Sequence, residues 1–186
     1  MSALGSKSIM AELKSINLAI ELLELGARTQ VLEAVTQLTK SQASKLYREV
    51  TGESPPKGQL PFSADWFLSW RPNIHASLFY LIYKRYTARL HDAEALAKAY
   101  RRYKEILDDS DSSPEFTITR AWTLVRFMES EVLAERPCSE CGVPFIAHAQ
   151  DLPDDYRCAI CNPPSRAGKT YKAPTEGVVV NHKKAG

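Results

Sequence analysis

The sequence predicts a mainly α-helical protein: a helical N-terminal domain with a helix-turn-helix-like segment, then a small four-cysteine zinc module and a basic tail. Apolar residues recur at helical spacing along the first two thirds of the chain. All four cysteines lie together in one later stretch, and lysines and arginines follow them. We expect a helical domain at 1–135 with the helix-turn-helix-like segment at 27–50, a zinc module at 136–165 and a flexible basic tail at 166–186.

The composition fits one main domain with a small appendage. The chain has 186 residues, of which 44% are hydrophobic, which suffices for a sizeable core. It has no run of 18 apolar residues, so we expect no membrane-spanning segment. The N-terminus soon becomes charged and amphipathic, unlike a secretory signal. These features predict a cytoplasmic protein.

Charge is unevenly distributed along the chain. The formal net charge is +2, but residues 163–186 carry five basic residues and one acidic residue, which leaves −2 for residues 1–162. Residues 84–104 carry seven lysines and arginines against Asp92 and Glu94. Separate basic segments of this kind are typical of a protein surface that faces a polyanion. For any single segment, an ordinary solvated helix face is the commoner explanation.

The first predicted helix covers residues 7–25. Its apolar side chains recur at alternating four- and three-residue steps, which places them on one stripe of a helix. The stripe comprises Ile9, Leu13, Ile16, Ile20 and Leu23. A stripe this broad usually belongs to the core. Near a terminus it could equally bury against a partner subunit.

Residues 27–50 predict two short helices in a helix-turn-helix arrangement. The first covers about Arg28–Val35, a turn follows, and Thr39 is a good N-cap for a second helix over Lys40–Val50. The second helix has one apolar face and an outer face of short polar and basic side chains. Such a helix can enter a major groove of DNA. Helix hairpins with a polar outer face also occur in proteins that bind no DNA.

Six residues of this segment are the candidate DNA-binding residues: Arg28, Lys40, Ser41, Gln42, Lys45 and Arg48. Ser41 and Gln42 lie in the first turn of the second helix, where such helices approach base edges. Glutamine can pair with adenine through two hydrogen bonds, and Lys45 or Arg48 can take guanine or a phosphate. We expect Arg28, on the preceding helix, to contact the DNA backbone.

A proline-rich connection, residues 51–62, precedes the next helices. We expect Ser63 to cap a short helix that carries Trp66, Phe67 and Trp70, and Pro72 to interrupt it. Together with the N-terminal stripe, this Trp66–Trp70 segment is a candidate surface for a partner chain. A further helix is predicted over residues 73–90.

Two more helices complete the predicted domain. Asp92 is expected to cap the first, which runs to about Leu107. Ser113, Pro114 and Glu115 predict the start of the second, because they suit the cap, the first helical position and the positive end of the helix dipole. This second helix, to about Ala134, has an apolar face and is expected to be the central core helix, with Trp122 buried.

The cysteines form two C-x-x-C pairs, Cys138/Cys141 and Cys158/Cys161, with sixteen residues between the pairs. This spacing predicts a closed tetrahedral site for one structural Zn²⁺ per chain. Gly142 and Asn162 follow the pairs, and both residue types tolerate the left-handed backbone that such turns often need. Arg136 and Arg157 precede the pairs and could offset the charge of four thiolates.

The other interpretations of the cysteines are weaker. Structural disulfides need an oxidising compartment, and no secretory signal precedes this chain. A redox dithiol uses one C-x-x-C, usually in a βαβ context that this sequence lacks. His148 could replace a cysteine as a ligand, but four thiols already complete the site.

The chain resembles the FlhC family, bacterial flagellar transcriptional activators that work with FlhD. The similar stretches are ELLELGARTQVLE, PPKGQLPFSADWF, TRAWTLVRFMES, CGVPFIAHA and CAICNPPSRA. They fall in the right order around the same four cysteines. The resemblance covers about residues 8–168 and is weakest between about 82 and 114, where only the helical character is similar.

The resemblance implies a complex of four FlhD and two FlhC chains that binds promoter DNA and recruits RNA polymerase to flagellar operons. It also implies zinc at the four cysteines. The DNA-binding residues named above come from the helix pattern and not from the family. The alternative is a zinc-module adaptor or RNA-associated protein that binds a partner without reading DNA.

We do not expect an enzyme. The sequence has no Gly-rich phosphate loop, no paired nucleophile and base, and no cluster of histidines and carboxylates at ligand spacing. The four histidines, His75, His91, His148 and His182, are scattered along the chain.

Overall fold

The computed structural model describes residues 8–107, 116–151, 155–165 and 167. Most of these residues are helical, which confirms the mainly α fold. The elements, in chain order, are α1 Ile9–Glu24, α2 Thr29–Val35, α3 Lys40–Thr51, a 3-10 turn Asp65–Leu68, α4 Trp70–Thr87, α5 Asp92–Ile106, α6 Ile118–Glu129, β1 Leu133–Pro137 and β2 Pro144–His148. The predicted tail lies outside the described residues except for Ala167. The predicted domain boundaries stay a prediction.

The start of α3 follows the sequence signal closely. The Thr39 hydroxyl accepts a hydrogen bond from the Gln42 backbone N–H at 3.3 Å, and the Gln42 side chain accepts one from the Thr39 N–H at 2.9 Å. This reciprocal capping box satisfies two backbone donors at the helix start. The helix ends at Thr51, and Gly52 caps it with a φ of 73°, the left-handed conformation that glycine adopts without strain.

Pro72 does not interrupt a helix, contrary to the prediction. It lies in the first turn of α4, which already begins at Trp70. The first backbone N–H groups of a helix have no partner within the helix, so a proline there forfeits no helical hydrogen bond.

The central helix is shorter than predicted at both ends. It begins at Ile118, with the Thr117 hydroxyl accepting from the Arg120 N–H at 3.4 Å. Ser113, Pro114 and Glu115 lie outside the described residues. At its end, Glu131 has a φ of 56°, and the Val132 N–H donates to the Phe127 carbonyl at 3.0 Å. This left-handed turn stops α6 and leads into β1 instead of continuing to Ala134.

The strands form an antiparallel hairpin, which the sequence analysis did not predict. Leu133 pairs with His148 at one end and Pro137 with Pro144 at the other. Leu133 and Ile146 are buried in the same core as the helices. The hairpin therefore connects the helical core to the cysteine pairs.

Aromatic rings fill the centre of the core. The Phe116 ring lies 5.7 Å from Phe79 and 5.2 Å from Tyr103, measured between ring centroids. Edge and tilted contacts at these distances are favourable arrangements of aromatic rings. Trp122, on α6, is 8% exposed, so its predicted burial is confirmed. Among the described residues, no helix combines the length and apolar content needed to cross a membrane.

Candidate metal centre and nucleic-acid interface

The turn between β1 and β2 carries the first cysteine pair. Cys138 follows the last residue of β1, and its N–H donates to the Val143 carbonyl at 3.0 Å. The Gly142 N–H donates back to the Cys138 carbonyl at 2.9 Å. Gly142 has a φ of 70°, which confirms the predicted left-handed position. The hairpin thus closes into a tight turn that holds Cys138 and Cys141 together.

The second cysteine pair is closed by the same type of backbone hydrogen bond as the first, but without a left-handed residue. The Asn162 N–H donates to the Cys158 carbonyl at 2.9 Å, as Gly142 does in the first turn. Asn162 does not adopt a positive φ, so that expectation was wrong. This N–H to carbonyl bond closes the turn without a left-handed residue. The Ser139 N–H donates to the Tyr156 carbonyl at 2.8 Å and joins the two turns.

The four sulfur atoms converge on one point. Their Sγ atoms all lie within 4.8 Å of one another, and the Sγ atoms of Cys141 and Cys158 are 3.9 Å apart. Tetrahedral zinc with Zn–S bonds of about 2.3 Å spaces its sulfurs about 3.8 Å apart. A disulfide needs about 2.05 Å, and all four cysteines are free. The donor set therefore fits a thiophilic metal ion.

Backbone donors prepare the sulfurs for a cation. The Cys158 N–H donates to the Cys138 sulfur at 3.3 Å, and the Cys161 N–H donates to the Cys158 sulfur at 3.3 Å. Hydrogen bonds from the backbone of Cys141 and Cys158 lower the pKa of the Cys138 thiol to about 6. The neighbouring sulfurs of Cys158 and Cys141 raise the pKa of Cys161. Sulfur atoms this close together disfavour negative charge on one another. A bound divalent cation would offset this repulsion and favour the thiolate forms.

His148 and the nearby arginines lie outside the sulfur cluster. The His148 Nδ1 atom accepts from the Gln150 N–H at 3.3 Å, and the metal-binding group found among the described residues consists of the four cysteines. Arg157 pairs with Glu140 at 3.2 Å and with Asp155 at 3.8 Å. Its guanidinium charge is therefore shared with two carboxylates.

Three side chains of α4 hold the module against the helical core. The Trp70 Nε1–H donates to the Ala159 carbonyl at 2.9 Å, and the Ser77 hydroxyl accepts from the Ile146 N–H at 2.9 Å. Buried Asn73 donates to the carbonyls of Ile146, at 2.7 Å, and Phe67, at 3.0 Å. Sequence reasoning missed Asn73 and Ser77, because their only signal was a pair of polar residues among apolar ones, and it offered Trp70 only as part of a candidate partner surface.

Asn73→Ala is expected to destabilise the fold by about 2–3 kcal/mol. It leaves the buried Ile146 and Phe67 carbonyls without their donor, and an unsatisfied buried polar group costs about 1–3 kcal/mol. Chemical denaturation measures the change. Asn17→Ala, at an exposed position on α1, is the matched control and should have little effect. Equal stability of the two variants would show that Asn73 does not hold the hairpin.

The sequence-predicted DNA residues of α3 all lie on its exposed side. Ser41, Lys45 and Arg48 follow one another at four- and three-residue steps, away from buried Ala43. Within the described part of the chain, Lys45 makes one contact, an exposed ion pair with Glu49 at 3.8 Å. Lys40 is exposed in the first turn. The helix therefore presents a continuous polar and basic face.

Gln42 and Arg28 have additional contacts within the chain. Gln42 is exposed, but its side-chain oxygen closes the capping box with Thr39. Arg28 immediately precedes α2 and is half-buried, and its guanidinium donates to the Gln59 carbonyl at 3.0 Å. The structure thus groups five of the six residues on α3 and leaves Arg28 beside the proline-rich connection.

Comparison with known proteins gives one consistent family. A family model described as the flagellar transcriptional activator FlhC matches residues 4–174. The flagellar transcriptional regulator FlhC of Paraburkholderia atlantica is 51% identical over 172 residues, covering 91% of this chain and 80% of the relative. The protein of the same name from Proteus mirabilis is 46% identical, with 96% and 94% covered. That of Thauera aminoaromatica is 43% identical, with 96% and 93% covered.

Proposed function

Because this chain belongs to the FlhC family of flagellar transcriptional regulators, we propose that it is the DNA-binding subunit of a transcription activator complex. In this proposal it acts with FlhD, in an assembly of four FlhD and two FlhC chains, binds promoter DNA of flagellar operons and recruits RNA polymerase. Its role is regulatory rather than enzymatic, which agrees with the names of its relatives.

The exposed face of α3 is the observation that carries the DNA-binding part of the proposal. Its capped N-terminus presents Ser41 and Gln42, and Lys45 and Arg48 extend the face by two turns. The opposite face packs on α1 and α2, which gives the helix a rigid support. A rigid helix with short polar and basic side chains suits major-groove reading.

We assign the sulfur cluster to one structural Zn²⁺ per chain, held by Cys138, Cys141, Cys158 and Cys161. Four thiolate ligands complete a tetrahedron and leave no open position for substrate or water. The ion would fix the two turns to each other, and α4 would then hold them on the helical core through the contacts of Trp70 and Asn73.

The outward stripe of α1 is the proposed surface for FlhD. Ile9 is 82% exposed and Leu13 47% exposed, whereas Leu23, the last member of the predicted stripe, is buried in the core with Ala19 and Leu22. Apolar side chains left outward at the end of a helix are typical of a subunit contact. The Trp66–Trp70 segment fits this role less well, because Phe67 is buried and the Trp70 indole donates to Ala159.

Gln42→Glu is expected to reduce the preference for one base at a single operator position. Binding to the preferred operator should weaken by about 1–3 kcal/mol. Glutamate at this position still closes the capping box with Thr39, but it cannot donate to adenine N7. The variant therefore separates base reading from helix capping, which Gln42→Ala would not do. Binding is measured on operators that each differ in one base pair.

The control for this experiment is Gln150→Glu, which introduces the same charge at an exposed position beyond β2. It should leave the operator profile unchanged. If Gln42→Glu weakens every operator equally, or none of them, Gln42 does not read a base.

A further inference from the structure

A cavity of about 460 Å³ lies between α2, α4, α5 and α6, away from both the sulfur cluster and the exposed face of α3. Its apolar lining includes Leu96, Trp122 and Val125. Tyr83, Asp92, Arg126 and Glu129 add polar groups from three different helices. The accessible lining is more polar than apolar, and a concave site of this size where polar groups from several helices converge can hold a small polar ligand.

Tyr83 contributes a largely buried side chain whose hydroxyl lines the cavity. The residue is 5% exposed, and its ring contacts Phe79 and Tyr80. Among the described residues, nothing forms a hydrogen bond with its hydroxyl. Burial, and then the negative charges of Asp92 and Glu129, raise the pKa of Tyr83. The hydroxyl therefore stays protonated in a negative local potential, and its oxygen can accept a hydrogen bond from a ligand.

The acidic side chains that line the cavity outnumber the guanidinium group there. Asp92 and Glu129 form no ion pair with any residue that the structure describes, while the Arg126 guanidinium lies over the Trp122 ring at 5.1 Å from its centroid. Asp92 is the first residue of α5, where the helix dipole favours an ionised carboxylate. Two carboxylates and one guanidinium leave one negative charge, which a monovalent cation would neutralise.

We propose that this cavity binds an organic cation with a short apolar stem, an alkylguanidinium or alkylammonium group. The charged head would donate to the carboxylates of Asp92 and Glu129 and to the oxygen of Tyr83. The apolar stem would pack against the side chains of Leu96 and Val125. This site is independent of the DNA-binding function proposed above. Its ligand is either a free small cation or the arginine or lysine side chain of another protein, and both share this chemistry.

The first test compares a charged probe with a neutral probe of similar shape. Butylguanidinium and butylurea have the same stem and a planar head of similar size. Each is titrated into the zinc-loaded full chain while the indole N–H signals are followed by NMR. We expect butylguanidinium, but not butylurea, to shift the Trp122 signal in a saturable manner. Equal shifts with both probes, or no shift with either, would overturn the proposal.

The second test uses variants of the polar groups. Glu129→Gln should weaken butylguanidinium binding by at least about tenfold, because the amide oxygen can still accept a hydrogen bond but the negative charge that strengthens it is lost. Glu24→Gln removes a carboxylate from an exposed position that does not line the cavity, and it should leave binding unchanged. Equal affinities of the two variants would contradict the site.

Tyr83→Phe distinguishes a ligand contact from a structural role. Because its hydroxyl has no hydrogen-bond partner among the residues that the structure describes, the variant should keep its Tm or raise it while binding butylguanidinium more weakly. A lower Tm with unchanged binding would assign the hydroxyl to folding instead.

A third measurement identifies the source of the cation. The blocked tripeptide acetyl-Ala-Arg-Ala-amide carries the same head on a peptide backbone, and spermidine represents free polyamines. Binding of the tripeptide at least as tight as that of butylguanidinium supports an arginine of another chain. Binding of spermidine with exclusion of the tripeptide supports a free cation, and failure of all the cations overturns the site.

Discussion

Cys158→Ser is expected to unfold the four-cysteine module rather than merely weaken its metal binding. Cys158 is fully buried, its sulfur accepts from the Cys161 N–H, and its N–H donates to the Cys138 sulfur. Structural zinc in such sites contributes about 10–16 kcal/mol to local folding. The loss of one thiolate therefore removes most of the energy that orders residues 136–165.

Two measurements check this result. Elemental analysis should give one zinc per chain in the unchanged protein and much less in the variant, and limited proteolysis should cut the variant within residues 136–165. Because the Trp70 indole donates to Ala159, tryptophan fluorescence should change as well. Ser139→Ala, an exposed neighbour in the same turn, is the control and should retain its metal. A stable variant that is metal-free yet resists proteolysis would contradict a structural metal site.

Ile16→Asp is expected to release FlhD from the complex proposed above. Ile16 lies between Leu13 and Ile20 on the outward stripe of α1 and is only half-buried in this chain. A carboxylate buried without a partner in an interface costs about 3 kcal/mol or more, which is at least about a hundredfold in affinity. Co-purification with tagged FlhD measures the loss.

The control for the partner surface is Asn17→Asp, which adds the same charge at the next, exposed position of α1. Both variants should retain the circular dichroism of the unchanged chain, because neither position lies in the buried core. If folded Ile16→Asp still binds FlhD as tightly as Asn17→Asp does, the stripe does not face FlhD.

Local signals in the sequence were sufficient to predict the helical hairpin of α2 and α3 and the cluster of four cysteine sulfurs. Thr39 followed by Gln42 is a capping box, and it starts α3 where the pattern predicts. The C-x-x-C spacing likewise specifies two turns whose sulfurs lie close enough to hold one ion, since each turn is closed by a hydrogen bond within five residues. These features depend on neighbours in sequence, and so they could be predicted.

The features that sequence reasoning missed depend on contacts between distant residues. The β-hairpin is stabilised by packing Leu133 and Ile146 into the helical core and by the Ser77 bond to the Ile146 N–H. Its strands are only five residues long and each includes a proline, so strand propensity alone is weak. Asn73 resembles a surface residue in sequence but is 3% exposed, because it satisfies two carbonyls of other elements.

The central claim is that α3 reads DNA and that the basic tail does not. A gel shift at two salt concentrations, with FlhD present, tests it on three forms: the full chain, a deletion of residues 167–186, and the combined variant Gln42→Glu, Lys45→Ala and Arg48→Ala. We expect the deletion to keep its operator preference and the combined variant to lose it. Lys45→Ala alone should lower the salt slope by about one unit if it contacts a phosphate. Loss of operator preference in the deletion, with unchanged binding by the α3 variant, would contradict the claim and assign α3 to the scaffold.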